Sequence, residues 1–332
     1  MKPLAASCAS LEAIRNFFFI LFFYCCLCFA DEELLPLLPE GFASEVDGIS
    51  VSCGSHHTCA LEYRPGIEFG GVIKCWGMAL EHQFDKQHVT PEGTFIQIST
   101  GDLHSCAISI DETVQCWGAV KYAPPGEFIQ VSVGEFHSCG LRKDQTVVCW
   151  GKNIHGEGHP PHGKFVQVSC ARTYSCGLRP TGRAECWGMM EAAPGARPPA
   201  DALFRQLSVG DDHGCGLTLA GGIRCWGSDR LGQARTLAPT DPAPGDGVNQ
   251  SFGPFKQISA SRGNTCAICA DERLKCWGQA VPMDPARHPA GAAYDQLSLG
   301  RHHVCAVTMD SELHCWGQIQ DVVDIPDGFM VG

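Results

Sequence analysis

The stretch FIQVSVGEFHSCGLRKDQTVVCWG, residues 128–151, decides the fold, because variants of it occur seven times. Its ending, Cys-Trp-Gly, starts at Cys75, Cys116, Cys149, Cys186, Cys225, Cys276 and Cys315, and these motifs use all 7 Trp of the chain. Neighbouring copies start 33 to 51 residues apart, about 40 on average. Self-similarity at this period belongs to solenoids, propellers and arrays, whose units bury their apolar faces against one another.

Each repeat opens with a strand, expected at 49–53, 95–100, 128–133, 165–170, 204–209, 255–260 and 294–299. Six of these read aromatic-x-Gln-aliphatic-Ser. Strict alternation puts the aromatic, Gln and Ser on one face and the aliphatics on the other. Each Gln amide then needs a partner if it is buried. A tight turn follows, G-x-x-H-[ST]-C in most copies, with His57, His104, His137, His213 or His303 at its centre and Tyr174 or Asn264 as substitutes. Gly at the head of this turn points to a positive φ or a close approach of backbone. Each His is expected to bond its own turn.

A hairpin completes the unit. Its two Cys are ten positions apart in six repeats. In an antiparallel hairpin with a short loop such residues face each other, within disulfide range. The pairs expected are Cys106–Cys116, Cys139–Cys149, Cys176–Cys186, Cys215–Cys225, Cys266–Cys276 and Cys305–Cys315. The first repeat carries an insertion within 63–71, which makes its pair Cys59–Cys75. The Trp after each second Cys suits the seam between units. The connectors that follow are variable and rich in Gly, Pro and His. The longest, 228–254, contains Asn249-Gln250-Ser251, a glycosylation acceptor in a secreted chain. The tail Ile325-Pro326-Asp327-Gly328-Phe329 copies the lead-in to a repeat and then stops.

The N-terminus reads as targeting. Lys2 and Arg15 precede an apolar run, 17–30, which Asp31-Glu32-Glu33 ends. This fits a secretory signal, 1–30, cleaved before Asp31. The run is short of the ~20 residues of a spanning helix, so no stable membrane span is expected after cleavage. The alternative is a chain tethered by an uncleaved N-terminal segment. Residues 31–45 form a Pro-rich lead-in, and 46–332 the repeat domain. Of 21 Cys, Cys8, Cys25, Cys26 and Cys28 lie in the leader. The remainder suit an oxidising compartment. The formal net charge of -12, with no basic run, excludes a nucleic-acid surface.

The pattern Q-[VIL]-S-x-G-x-x-H-[ST]-C-[AG]-[LI], then V-x-C-W-G, resembles the regulator-of-chromosome-condensation repeat. Trp150-Gly151-Lys152-Asn153-Ile154-His155-Gly156-Glu157 and Trp226-Gly227-Ser228-Asp229-Arg230-Leu231-Gly232-Gln233 are similar to its W-G-x-N-x-x-G-Q. The superfamily also includes a β-lactamase-inhibiting protein. The Cys pair in every repeat looks most like the ectodomains of Crinkly-type receptor kinases. The resemblance covers about residues 46–332. It implies an all-β fold, a seven-bladed β-propeller of four-stranded blades with one disulfide per blade. The family's founding member is a nuclear exchange factor that binds chromatin. The leader, the paired Cys and the acidity argue against that role here. No Gly-rich loop with a strand Lys and no H-R-D motif is present, so the chain carries no kinase domain.

No catalytic, cofactor or metal set is expected. The turn His recur once per unit and so stand apart, whereas a metal needs converging ligands. His155, His159 and His162 share one loop and could hold a metal only weakly. Cys266-Ala267-Ile268-Cys269 has redox spacing, but Cys266 has a hairpin partner and no helix N-terminus is expected beside it. Cys53, Cys170 and Cys269 are left over and read as buried thiols. The expected function is an extracellular binding module for a protein, peptide or glycan, not an enzyme. The alternatives are a soluble or truncated receptor ectodomain and a propeller enzyme with an active site at the channel mouth.

Overall fold

The computed structural model describes residues 49–63, 70–77, 90–189, 197–239, 254–279, 291–318 and 324–326. The leader, the lead-in 31–45 and Asn249 lie outside the described residues. Among the described residues there are 21 strands and no helix.

Unit 3 shows the plan. Its inner strand Phe128–Val133 pairs antiparallel with the middle strand His137–Arg142, which pairs with the outer strand Val147–Gly151. The other inner strands are Ile49–Cys53, Phe95–Thr100, Gln167–Cys170, Phe204–Val209, Phe255–Ser261 and Tyr294–Leu299. The fourth thus starts two residues later than the alternation suggests. Units 1 and 2 join into one six-stranded sheet through the Gly71↔Phe95 pair, and the other five sheets have three strands each. Four-stranded blades are not what the described residues show. A fourth, outermost position is touched in unit 5 only by the bridge Ile223↔Leu237.

The Cys pairs face each other in register, for example Cys139↔Cys149 and Cys305↔Cys315. Seven disulfides, one per unit, join the pairs named above, with Cα–Cα distances from 3.9 to 4.1 Å. A directly opposed pair brings its Cα atoms this close.

One feature of the inner strands departs from strict alternation. Five of them carry a register shift between the aromatic and the Gln, as between Phe128 and Gln130. A bulge of this kind turns one side chain to the other face. The aromatic therefore joins the aliphatics instead of the Gln. Phe128, Val131, Val133 and Trp150 of unit 3 all pack with Cys106 and Ile108 of unit 2. A similar composition recurs at the other seams, from Phe95 and Trp117 against Leu61 to Tyr294 and Trp316 against Ile268, with Ile49 in place of the aromatic at unit 1. The core is thus divided into seven seams. The last joins Ile49, Val51 and Trp76 of unit 1 to Cys305, Val307 and Leu313 of unit 7, with Ile325 of the tail packed on it. Unit 7 therefore packs on unit 1, and the ring closes.

Polar side chains lace the ring from within. In each unit the inner-strand Ser accepts a hydrogen bond from a backbone N–H of the next inner strand. Ser99 Oγ accepts from Val133 N at 3.1 Å, Ser132 from Cys170 N at 2.9 Å, and Ser298 from Cys53 N of unit 1 at 2.9 Å. The Gln behaves as a surrogate peptide group. Gln167 Oε1 accepts from Leu207 N (2.7 Å) and its Nε2 donates to Leu207 O (3.0 Å). Inner strands of neighbouring units are too far apart to pair directly, so these side chains satisfy backbone groups that would otherwise be buried unpaired.

Candidate functional site

The turn His bond their own turns through the backbone, as where Gly101 N donates to His104 O (2.9 Å), but their Nε2 atoms point elsewhere. Each reaches forward to the hydroxyl of the H-[ST]-C motif in the next unit. His57 Nε2 is hydrogen-bonded to Ser105 Oγ (2.7 Å), His104 to Ser138 (2.7 Å), His137 to Ser175 (2.8 Å) and His213 to Thr265 Oγ1 (2.8 Å). His303 closes the circle on Thr58 Oγ1 at 2.6 Å. The two substitutions follow from this. Unit 5 has Gly214 in place of the hydroxyl, and Tyr174 of unit 4 donates instead to the carbonyls of Gly210 (2.8 Å) and His213 (2.7 Å). Unit 7 has Val304, and unit 6 offers Asn264 in place of His. The motif's His is a link between units.

The same turns crowd one end of the central channel. A Cβ on Gly101 would lie 2.0 Å from the carbonyl oxygen of Gly134 in the next unit, so Gly101 admits no side chain, while Ala171 and Ser261 take the same position in units 4 and 6. The residues after this position surround the channel mouth. Taken in order these are Ser55, Asp102, Glu135, Arg172, Asp211, Arg262 and Arg301, three carboxylates and three guanidinium groups. Five of the six charged residues line a cavity of ≈ 190 Å³ whose walls are the ends of all seven inner strands. In the sequence these are the first unspecified positions of the G-x-x-H-[ST]-C turns. Only the ring brings residues from every repeat to one point.

Most of these charges are paired. Arg172 Nε donates to Glu135 Oε2 at 2.6 Å. Asp102 accepts a short hydrogen bond from Ser55 and a long contact, 3.5 Å, from Arg301 Nη1. Asp211 makes no hydrogen bond among the described residues. Burial pushes its carboxyl up to about 6, and the negative charge of Asp102 adds to this against the pull of Arg301, Arg172 and Arg262. The Nε of Arg301 is also buried without a hydrogen-bond partner among the described residues. His56 and His302 lie together at the rim, their rings tilted by 36° with centroids 5.9 Å apart. Desolvation lowers both pKa values. Asp102 opposes the effect at His56 and Arg301 adds to it, while His56, Arg301 and Arg262 add to it at His302.

The two fuller repeats shape the surface around this mouth. Glu157 Oε1 and Oε2 accept from Ile154 N (3.2 Å) and His155 N (2.6 Å), and its carbonyl accepts from Trp187 Nε1 of the next unit (2.9 Å). Gln233 holds the equivalent loop. Its Oε1 accepts from Leu231 N at 2.8 Å, and its carbonyl accepts from Thr265 Oγ1 (2.9 Å) and Trp277 Nε1 (3.1 Å). These connectors therefore seal seams. Within the first, His159 contacts Asn153, while His155, His159 and His162 do not form a shared ligand set among the described residues.

Cys53, Cys170 and Cys269 are free and buried. Burial pushes their thiols up to about 12, 11 and 11 respectively. Cys53 lies beside His303 and Cys305, and Cys170 beside His137 and Cys139. In each group one Cys is already in a disulfide, so neither offers three metal ligands. Among the described residues no helix is long and apolar enough to cross a membrane.

The Regulator of chromosome condensation (RCC1) repeat family matches residues 95–119, 128–157 and 204–233. No curated protein matches the chain. Among solved structures it is similar to the entire ectodomain from the Physcomitrella patens receptor kinase CR4, with 23% identity and a TM-score of 0.61 over 82% of this chain and 73% of that one. It is also similar to the CRINKLY WD40 ectodomain from the Arabidopsis thaliana receptor kinase ACR4, with 21% identity and a TM-score of 0.61 over 83% of this chain and 97% of that one. In its repeats the chain is similar to the RCC1 family, and in its fold it is an all-β propeller like the two ectodomains.

Proposed function

We propose that this protein is a secreted, non-enzymatic interaction module that binds an extracellular protein, peptide or glycan at the channel mouth and the connectors around it. The observation that carries this reading is the mouth itself. A rigid disulfide-clasped ring holds six charged side chains at its turns, and Asp211 and the Nε of Arg301 have no hydrogen-bond partner among the described residues. Binding groups concentrate on loops that a rigid scaffold positions. The likeness to receptor ectodomains and the seven disulfides support an extracellular setting. The leader 1–30 and glycosylation at Asn249 belong to the same proposal.

The test uses the full chain expressed through a secretory pathway. The purified protein is offered to extracellular fluid from the tissue that expresses it, beside the double variant Arg172→Gln, Asp211→Asn. A partner retained by the wild type and lost by the variant supports the reading. Identical partners for both proteins, or none, would count against it. One observation favours a second reading, an enzyme. A carboxyl raised to about 6 in a concave mouth whose rim carries two His is a pattern shared with acid–base sites. The mouth also holds a hydroxyl on a carboxylate, Ser55 donating to Asp102. Turnover of a substrate that Asp211→Asn abolishes would favour this alternative.

A further inference from the structure

The charge pattern of the mouth narrows the ligand that the binding reading calls for, and the inference rests on that reading. The seven turn positions carry three carboxylates and three guanidinium groups, so the mouth is neutral as a whole. Glu135 and Arg172 neutralise each other at 2.6 Å. Asp102 is held by Ser55 and, loosely, by Arg301. Incomplete pairing is confined to three consecutive units, 5, 6 and 7. There Asp211 has no hydrogen bond, Arg262 is exposed without one, and Arg301 keeps a buried Nε unpaired, all among the described residues.

Charges taken out of water and left unpaired are costly, and a ligand that completes them recovers that cost. A purely anionic ligand would satisfy the arginines and repel Asp211. A purely cationic one would do the reverse. A dipolar ligand satisfies both and leaves the mouth neutral. The cavity, ≈ 190 Å³, is below the several hundred Å³ of a drug-sized pocket and suits something the size of one residue. Its floor of Ser, Thr and small apolar side chains offers no deep apolar hole for a large substituent.

We propose that the mouth binds a small dipolar ligand of the α-amino acid class, with its ammonium on the Asp211 carboxylate and its carboxylate on the Arg301 guanidinium, Arg262 adding a second cation from the rim. The Arg301 Nε donates one charge-assisted hydrogen bond to the carboxylate, and Asp211 accepts one from the ammonium. A free amino acid and a dipolar pair on a protein surface share this chemistry.

Calorimetry of the full-length secreted protein with three probes tests it: alanine, alaninamide, which is cationic, and N-acetylalanine, which is anionic. Alanine is expected to bind about tenfold or more tightly than either of the others. Asp211→Asn should weaken alanine by a similar factor and leave N-acetylalanine unchanged or tighter. Arg262→Gln, at an exposed position without a hydrogen bond among the described residues, should weaken alanine and N-acetylalanine and spare alaninamide. Equal binding of alanine and N-acetylalanine, or no binding of alanine at millimolar concentration, overturns the proposal. If alanine binds and also displaces the extracellular partner, the pair on that partner's surface is the source. If it binds without displacing, the free amino acid is. Loss of alanine binding with partner capture intact sinks this inference alone and leaves the interaction module standing.

Discussion

At the residue scale, the link from each turn His to the next unit's hydroxyl makes two sites predictable from one another. The link from unit 6 to unit 7 is missing because Asn264 stands at the His position and Val304 at that of the hydroxyl. Asn264→His alone places a buried imidazole without a partner and should lower stability by roughly 1–3 kcal/mol. Adding Val304→Thr should recover that loss and gain about 1 kcal/mol over the wild type. Denaturant midpoints of the two variants check this, and a double variant no better than the single would refute the pairing. The His also set an acid limit. Desolvation lowers His104 to about 3, His137 to about 4 and His303 to about 3, from an ordinary 6.5. Above 6.5 these groups are neutral in both folded and unfolded chains. Below it the unfolded chain takes up protons that the folded chain refuses, until the pH reaches the folded-state values. Stability should therefore fall as pH drops from 6.5 towards 4, by about 1.4 kcal/mol per pH unit for each His. Denaturant unfolding at stepped pH reads the slope, and His137→Gln should reduce it.

At the scale of elements, the inner strand is the part whose reading changed most between sequence and structure. The alternation of F-x-Q-I-S is legible, and so is the need of Gln for a partner. The bulge after the aromatic is not, because a one-residue register shift leaves no mark on composition. It sends the aromatic with the aliphatics towards the preceding unit and leaves Gln and Ser facing the following one. Gln167, which opens its shorter strand Gln167–Cys170, shows what a Gln facing the following unit does. Its amide completes both backbone groups of Leu207, and Gln167→Ala would leave a buried N–H and C=O without partners. A loss of roughly 2–4 kcal/mol is expected from two such groups, read as a fall in the denaturant midpoint. Gln167→Glu would keep the acceptor and lose the donor, and should fall between the two.

At the scale of the whole molecule, the seams and the clasps predict how the chain behaves as one body. The free thiols Cys53, Cys170 and Cys269 are buried at the seams, while the hairpin cysteines are bonded within their units. A maleimide should therefore label none of the three in the native protein and all three after denaturation without reductant. Peptide mapping should then find the seven bridges within units. A bridge between units, or a thiol labelled in the native state, would show that the ring is assembled otherwise. Closure itself rests on weak groups in number. Val51 N donates to Gln296 Oε1, Cys53 N to Ser298 Oγ, and Thr58 is bonded to His303, each across 245 residues of sequence.

The sequence by itself determined the period, the hairpins and the disulfide partners, because those features are local. Ten residues of antiparallel hairpin place Cys139 against Cys149 whatever the rest of the chain does. It also determined that a Trp would stand at each seam, since every repeat supplies one. What only the tertiary structure decided are the contacts between repeats: the His that reaches forward, the Gln that stands in for a peptide group, and the gathering of Asp102, Glu135, Arg172, Asp211, Arg262 and Arg301 at one mouth. Those six residues span 199 positions from Asp102 to Arg301. Nothing in the neighbourhood of any one of them marks it, and only a closed ring, with every turn at the same end, makes them a site.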